Sequence, residues 1–480
     1  MKAFNLFDGI ITKSFDTDVD LETDVKAICF NSNDIRENCV FFAYSGSTFD
    51  SHSVAEEVYK SGKVLFVVAE RKLENIPTLI VEDGRKALAL ACRNFFGQPD
   101  EKMEKVAVTG TNGKTTVTYL LESIMEAAGK KPLRMGTTGH MYAGKYVPSE
   151  TTTPSSYDYY SVLADAVKEG CDALAIEASS HALDQERLFG TKFDVALFTN
   201  LSGDHLDYHK TMEEYFLAKK KLFTEEYANI AVVNMDNDYG LKIIKEKSID
   251  TIKYGINDRA EISAEEISFT LSGISARIRY PNNTFNIKST LVGLHNLENI
   301  LSAVSASIAL GISDEAIIQG LENLKNVPGR LEKIEGKGAF VFVDYAHTDD
   351  ALLNVLEALT PFKKNRIITV FGCGGDRDRT KRPRMAKVAE NHSDIIIVTS
   401  DNPRTESPQQ IIEDILKGFV NADKVVICPD RGEAIKTALS RVEEGDIILI
   451  AGKGHEDYMV IGKEKTHFDD REEVRKFFGS

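Results

Sequence analysis

Closely spaced glycines followed by lysine and threonine carry the first recognisable chemistry in this chain. In VAVTGTNGKTT, residues 106–116, a short apolar run enters Gly110, Thr111, Asn112, Gly113, Lys114, Thr115 and Thr116, and a helical pattern follows. Glycines let a backbone wrap with its N–H groups turned toward phosphate oxygens. The N-terminus of the next helix adds partial positive charge. In such a loop Lys114 reaches the outer phosphates and the Thr115 hydroxyl sits on Mg²⁺. The usual phosphate loop has a glycine five residues before its second glycine. That position is Val108 here, so this is a shortened G-x-x-G-K-T form. Alone, it suits a switch protein, a kinase or a ligase.

Further polar groups stand where apolar runs end. AIEASSHAL delivers Glu177 after one run, and FTNLSGDHLDYH delivers Asn200 and then Asp204 and His205 after the next. Glu177 and His205 suit Mg²⁺ ligation or the positioning of a reacting phosphate. Far downstream, TSDNPRTE follows the run at residues 394–398, setting Asp401, Asn402, Pro403 and Arg404 in one stiff loop. Open α/β sheets bind ligands at such strand ends. A carboxylate, an amide and a guanidinium together suit a small polar molecule; read by itself the stretch is also an ordinary turn.

These groups need a scaffold, and the chain reads as three segments. With 480 residues it has length for roughly three domains. Residues 1–98 mix strands (CVFFAYSG, KVLFVVAE) with a helix, DSHSVAEEVYKSG, ended by Gly62. FFGQPDEKMEK, residues 95–105, reads as a linker. Residues 99–331 hold the phosphate loop and the buried-strand runs DALAIEASS, VALFTNL and IAVVNMDN with helical patterns between, the mark of parallel βαβ units. From 261 to 287 the texture turns to alternation, as in ISFTLSGISARIRY, predicting appended antiparallel strands. A second linker, NVPGRLEKIEG at 326–336, leads into residues 332–480. There five strands, AFVFVDYAH, RIITVFGCG, DIIIVTSDN, KVVICPD and DIILIAGKG, are each followed by a helical pattern. The fold class expected is α/β in three domains: a central P-loop ATPase-like parallel sheet with appended antiparallel strands, and a C-terminal Rossmann-like doubly wound domain.

Bulk composition removes other classes. A net charge of −16 argues against a nucleic-acid partner. No apolar run approaches the ~18 residues of a membrane span, and MKAFNLFDGI has no signal-peptide pattern. Six cysteines without CxxC pairs suit reduced thiols in the cytoplasm and no zinc site. The expectation is a cytoplasmic monomer acting on small molecules.

TGTNGKTT, EASSHAL, TNLSGDHLDYH, GLHNLENI, VPGRLE, VDYAHT, GCGGDRDRTKRP, SDNPRTE and AGKGHEDY occur in this order between residues 109 and 458. The series closely resembles the Mur ligases, and among them the type that adds the third amino acid to a UDP-N-acetylmuramoyl dipeptide of peptidoglycan. The match weakens in the first segment. The family pattern there is Asp-Ser-Arg before a Gly-Asp-led strand, and this chain has Asn31-Ser32-Asn33 before ENCVFFA. The resemblance implies an acyl-phosphate route from UDP-MurNAc-L-Ala-D-Glu, ATP and meso-2,6-diaminopimelate to an amide, with Mg²⁺ as cofactor. It implies ATP contacts from residues 110–116, with Asn200 near the γ-phosphate, His295, Asn296 and Asn299 near adenine, Arg330 facing phosphates and Asp344 facing ribose. It implies a catalytic and Mg²⁺ set of Lys114, Thr115, Glu177 and His205. For the UDP-sugar peptide it implies Ser32, Thr152, Thr153, Ser179, Gln185 and Arg187. For diaminopimelate it implies Arg377, Asp401, Asn402, Pro403, Arg404, Gly452 and Glu456, with Arg404 binding the distal carboxylate and Glu456 facing an ammonium. Lys219 matches a lysine that the family carbamylates, which would add a metal ligand; read from the residues alone, the three lysines of LAKKKLF are a solvated face. A folylpolyglutamate-synthase-like ligase is an alternative of the same architecture, against which SDNPRTE and GKGHEDY speak. A non-catalytic ATP-holding module is another.

Overall fold

The computed structural model describes residues 1–15, 19–46, 49–246, 248–257, 259–281, 283–335 and 340–479. Gly336, at the end of the second linker, lies outside them. In the first segment, strands Ala27–Cys29, Cys39–Ala43, Val64–Ala69 and Thr78–Val81 lie parallel, and Thr12–Phe15 pairs antiparallel at the edge. The expected helix there divides into a 3-10 turn, Ser51–Val54, and an α-helix, Ala55–Lys60. Helix Gly84–Phe95 starts on Asp83, whose carboxylate accepts from the Arg85 and Lys86 N–H groups. Its buried face, including Leu88, Ala91 and Cys92, belongs to one apolar core with Tyr159 and Leu163 of helix Ser156–Lys168 in the second segment. The connection at residues 96–103 is pinned. Arg93 Nε donates to both oxygens of buried Asp100 at 2.9 and 3.1 Å, and Lys105 Nζ donates to the Asp100 and Met103 carbonyls.

In the second segment six strands run parallel in the order Asp250–Tyr254, Ala228–Asn234, Phe193–Phe198, Glu104–Thr109, Ala173–Glu177 and Pro132–Gly136. A hairpin, Gly139–Tyr142 and Lys145–Val147, extends the last edge antiparallel. The strand feeding the phosphate loop is thus central. Its neighbours place Glu177 on one side of the loop and Thr199 and Asn200 on the other. The apolar runs read as buried strands because both faces are covered. The alternating stretch is a separate antiparallel sheet, Ser263–Thr270, Gly273–Tyr280 and Asn283–Ser289. Its inward residues Ile274, Ile278 and Ile287 share a core with helices Lys114–Ala127, Leu294–Ala309 and Asp314–Asn323.

The third segment is a six-stranded sheet. Phe340–Asp344, Ile447–Ala451, Ile367–Phe371, Ile395–Val398 and Val425–Ile427 are parallel in that order, and Glu332–Glu335 is antiparallel at the edge. One expectation needs correction. The last strand is followed first by an antiparallel hairpin, Tyr458–Ile461 and Glu464–His467, and only then by helix Asp470–Phe478. Its half-exposed strands lean on a neighbouring loop and carry no strong buried pattern.

Helix Lys114–Ala127 is held in place by a close approach at Gly320. A Cβ there would stand 2.4 Å from Ile124 Cα, while Ser123 Oγ donates to the Gly320 carbonyl at 2.7 Å. Gly320→Ala is expected to destabilise the second segment by about 1–3 kcal/mol through overpacking. Differential scanning calorimetry would show this as a lowered first transition, and an unchanged thermogram would contradict the packing argument.

Candidate functional site

The phosphate loop is built by contacts that leave no room for side chains. A Cβ on Gly110 would lie 1.9 Å from Thr199 Oγ1, and one on Gly113 would lie 2.2 Å from Asn299 Oδ1; both glycines have positive φ. Asn200 fastens the loop from the side: its carbonyl accepts from Thr111 N at 2.9 Å and its Oδ1 from Asn112 N at 2.9 Å. Thr199 Oγ1 donates to the Asn112 carbonyl at 2.7 Å. Asn200, expected near the γ-phosphate, shapes the loop and also lines the cavity beside it.

Two lysine side-chain nitrogens meet inside this loop. Lys114 Nζ donates to the Gly110 and Thr111 carbonyls at 2.9 and 2.8 Å, and Lys219 Nζ donates to the same Gly110 carbonyl at 2.8 Å. Lys219 is 1% exposed, so the solvated-face reading fails for it. It holds for its neighbours Lys220 and Lys221, which pair with Glu246 and Glu186. Burial pushes the Lys219 ammonium well below the usual lysine range, and the Lys114 charge adds to this. Burial lowers Lys114 too, against the raising influence of Glu177 and Asp204.

Glu177 is buried on the opposite wall. It accepts from Thr115 Oγ1 at 3.0 Å and from Thr137 N and Oγ1 at 2.9 and 3.0 Å. Arg330 Nη2 donates to Thr115 Oγ1 at 3.2 Å, and its guanidinium lies over the Tyr345 ring at 4.8 Å. His205 has a left-handed backbone and sits 3.6 Å from Asp204. Burial holds its ring below the usual imidazole value. These residues line one cavity of about 450 Å³ with Asn112, Thr116, Thr152, His295, Asn296, Asn299 and Asp344. Asp344 has both oxygens engaged by the backbone, from Leu331 N at 2.5 Å and Ala346 N at 2.7 Å, and burial raises its carboxyl to about 6. Asn299 lies against Gly113 of the loop. The motifs did not single out Thr137 or Asp350. Asp350 Oδ2 accepts from Asn112 Nδ2 at 3.3 Å and Ser202 Oγ at 3.0 Å, bringing the third segment onto the loop.

A second cavity, about 660 Å³, lies between the first and second segments and is lined by Phe30, Tyr44, Phe49, Arg85, His140, Gln185 and Arg187 among others. Arg187 donates to the Thr153 carbonyl at 2.7 Å and to Gln185 Oε1 at 2.8 and 3.1 Å. Thr153 Oγ1 donates to the Glu177 carbonyl at 2.7 Å and accepts from Ser179 N at 2.9 Å. Thr152 Oγ1, beside it, donates to Thr137 Oγ1 in the first cavity at 3.1 Å, the Thr137 hydrogen being given to Glu177. The 151–154 segment therefore joins the two cavities. Ser32 is not brought in: it is exposed on a turn, and Phe30 lines the cavity instead. Arg85 carried no motif that would have found it.

The third group gathers around TSDNPRTE. Arg404 has φ of 50° and donates to the Gly375 carbonyl at 2.9 Å; it and Arg377 flank Gly374. Asn402 Nδ2 donates to Glu456 Oε2 at 2.8 Å. Gly452 stands beside Asp401, where a Cβ would meet Oδ2 at 3.0 Å. Pro403 packs over Gly375, where a Cβ would meet its carbonyl at 1.9 Å. The missed hairpin stabilises this loop: Arg404 N donates to the Val460 carbonyl at 3.1 Å and Gly462 N to the Arg404 carbonyl at 2.7 Å. A stack of Arg330, Tyr345 and His455 leads from the first cavity toward Glu456.

Burial also holds the His295 ring near about 4. Its folded pKa lies below the ordinary ~6.5, so between those values the unfolded chain binds more protons. The stability this group contributes is present above about pH 6.5 and lost as pH falls toward about 4. Thermal melts over that range should fall in midpoint, and His295→Gln should make the fall shallower. An equally steep fall in the variant would contradict this.

The family model described as the Mur ligase middle domain matches residues 108–307, and that described as Mur ligase, glutamate ligase domain matches residues 329–454. A UDP-N-acetylmuramoyl-L-alanyl-D-glutamate--2,6-diaminopimelate ligase of Fusobacterium nucleatum is 43% identical over 482 residues, covering 98% of this chain and 97% of its own. A solved structure of a ligase bearing that name is 32% identical with a TM-score of 0.73, covering 98% of this chain and 99% of its own. The folylpolyglutamate synthase of Mycobacterium tuberculosis, solved with ADP and AMPPCP, is 17% identical with a TM-score of 0.66, covering 82% of this chain and 95% of its own. That last likeness is one of fold alone.

Proposed function

The chain belongs to the Mur ligase family, and from that premise we infer that it is an ATP-dependent ligase joining meso-2,6-diaminopimelate to the D-Glu of UDP-N-acetylmuramoyl-L-Ala-D-Glu in peptidoglycan synthesis. The observation that carries this reading is the pairing of a lysine-rich phosphate loop with a separate loop presenting Arg404 and Asn402 beside Glu456.

A carboxylate is a poor acyl donor because oxide leaves badly. Transfer of the γ-phosphoryl group gives an acyl phosphate, which an amine attacks through a tetrahedral intermediate, releasing phosphate. We assign Lys114 and Arg330 to the charge that develops on the transferred phosphoryl group, held in place by the loop. The UDP-sugar peptide occupies the second cavity, with Arg187 and Gln185 on it, Thr153 buried behind them, and its acyl end reaching past Thr152 to the loop. We assign residues 1–98 to that substrate, 99–331 to ATP and 332–480 to the amino acid, and the reaction to a cytoplasmic monomer. No helix among the described residues is long and apolar enough to cross a membrane.

The donors present fit Mg²⁺. Among the described residues no three His, Cys, Asp or Glu side chains form a metal cage, and the adjoining oxygens of Thr115 and Glu177 suit the other kind of site, in which phosphates and waters complete the shell. Bound there, with His205 beside it, Mg²⁺ would neutralise phosphate charge. Lys219, buried and held toward the neutral amine, is chemically suited to the carbamate that the family's lysine carries.

Phosphate release is the assay. With ATP and UDP-MurNAc-L-Ala-D-Glu, wild type should turn over with meso-diaminopimelate far faster than with L-lysine; equal turnover with lysine would sink the specificity. Lys114→Ala should lower kcat by roughly 10²–10³-fold. Arg404→Ala should lower kcat/KM for diaminopimelate about a hundredfold or more, by ~3–5 kcal/mol, with ATP affinity kept. Absence of amino-acid-dependent release, or release with folate and glutamate, would favour the alternatives.

A further inference from the structure

We propose that Lys453 is a positioning residue for amino-acid selection: it holds Asn402 as a pure hydrogen-bond donor and keeps the Glu456 carboxylate open to the substrate's ammonium. This rests on the ligase reading above. Lys453 is wholly buried in the loop after strand Ile447–Ala451. Its Nζ donates to Asn402 Oδ1 at 3.1 Å and to the Tyr458 carbonyl at 2.5 Å, and stands 3.5 Å from Glu456 Oε2 and 3.6 Å from Asp401 Oδ1.

The consequence lies in the Asn402 amide. Its Oδ1 also accepts from Val460 N at 2.9 Å, so both lone pairs are filled and the amide orientation is set by two donors. Nδ2 spends one N–H on Glu456 Oε2; its other N–H has no acceptor among the described residues. Arg404 beside it donates only to the Gly375 and Asn402 carbonyls and has no ion pair among them. Asn402 and Arg404 thus present unfilled donors beside Glu456. They complement the distal carboxylate of a diamino diacid, and lysine, which keeps the ammonium but lacks that carboxylate, leaves these donors unpaired.

Glu456 is faced by Asp401, Asn402, Lys453, Tyr345 and Tyr458. Arg431 lies behind, matched to Asp470 by two 2.7 Å hydrogen bonds. Burial and Asp401 push the Glu456 carboxyl up, and Lys453 and Asn402 pull it down. Without Lys453 two carboxylates face each other, Glu456 takes up its proton at higher pH, and Val460 N alone is left to hold the Asn402 amide with Nδ2 toward the substrate carboxylate.

The test is initial-rate kinetics of wild type and Lys453→Met with meso-diaminopimelate and with L-lysine, from about pH 6 to about pH 9, with ADP affinity by calorimetry as the check of fold. Lys453→Met should raise KM for diaminopimelate and shift the diaminopimelate-to-lysine preference toward lysine, each roughly tenfold. kcat should change less than KM, and the acid limb of kcat/KM for diaminopimelate should move to higher pH. Unmoved selectivity and an unmoved acid limb, with ADP affinity kept, would overturn the proposal. If Lys453→Met does not fold, Lys453→Gln, which keeps a donor and loses the charge, must move the same acid limb. A wild type without diaminopimelate-dependent turnover would instead overturn the ligase reading itself.

Discussion

Two lysine side-chain nitrogens aimed at one backbone oxygen form the constraint on which the rest of this structure depends. Lys114 and Lys219 both donate to the Gly110 carbonyl inside a closed, mostly buried loop. A second positive charge beside Lys114 is disfavoured by repulsion and by burial, which holds Lys219 toward the neutral amine. The arrangement persists because the fold over-determines it. The central strand Glu104–Thr109 supplies the loop, and flanking strands bring Thr199 and Asn200 against one side and Glu177 against the other. The loop is thus shaped by the fold before any ligand enters, and is preorganised for phosphate rather than shaped by it.

The other sites hang from this one by different kinds of junction. The first and second segments share an apolar core across helices Gly84–Phe95 and Ser156–Lys168. The second and third meet largely through polar and close backbone contacts: Asp350 on Asn112 and Ser202, Arg330 over Tyr345, and Gly329 against His455 N, where a Cβ would stand 2.0 Å away. Polar junctions of this kind are where domains move. We take residues near 331 as the more yielding hinge for closure around the acyl phosphate, which would also keep water from it.

Much of this was legible in the residues. Gly110, Gly113, Lys114 and Thr115 announce themselves because close backbone wrapping and phosphate contact demand those types at that spacing. The parallel sheets were legible from unbroken apolar runs, and the appended antiparallel sheet from alternation at 261–287. Other features depend on distance in space. Nothing in LAKKKLF says which of three lysines is buried; the sheet beneath decides that Lys219 turns inward. Thr137 and Asp350 matter only because folding carries them to the loop. The hairpin at 458–467 has mostly exposed residues and no core pattern, so its grip on Arg404 could be seen only in three dimensions. Ser32 had the right type in a divergent motif and the wrong place.

The central claim is that this loop activates a carboxylate by phosphorylation before an amine takes its place. The most direct measurement follows oxygen. UDP-MurNAc-L-Ala-D-Glu carrying ¹⁸O in its D-Glu carboxylates would be turned over with unlabelled ATP and meso-diaminopimelate, and the released phosphate examined by mass spectrometry. Phosphate bearing one ¹⁸O atom per amide formed is the predicted result, since the acyl oxygen leaves with phosphorus. Unlabelled phosphate accompanying amide formation would contradict the account.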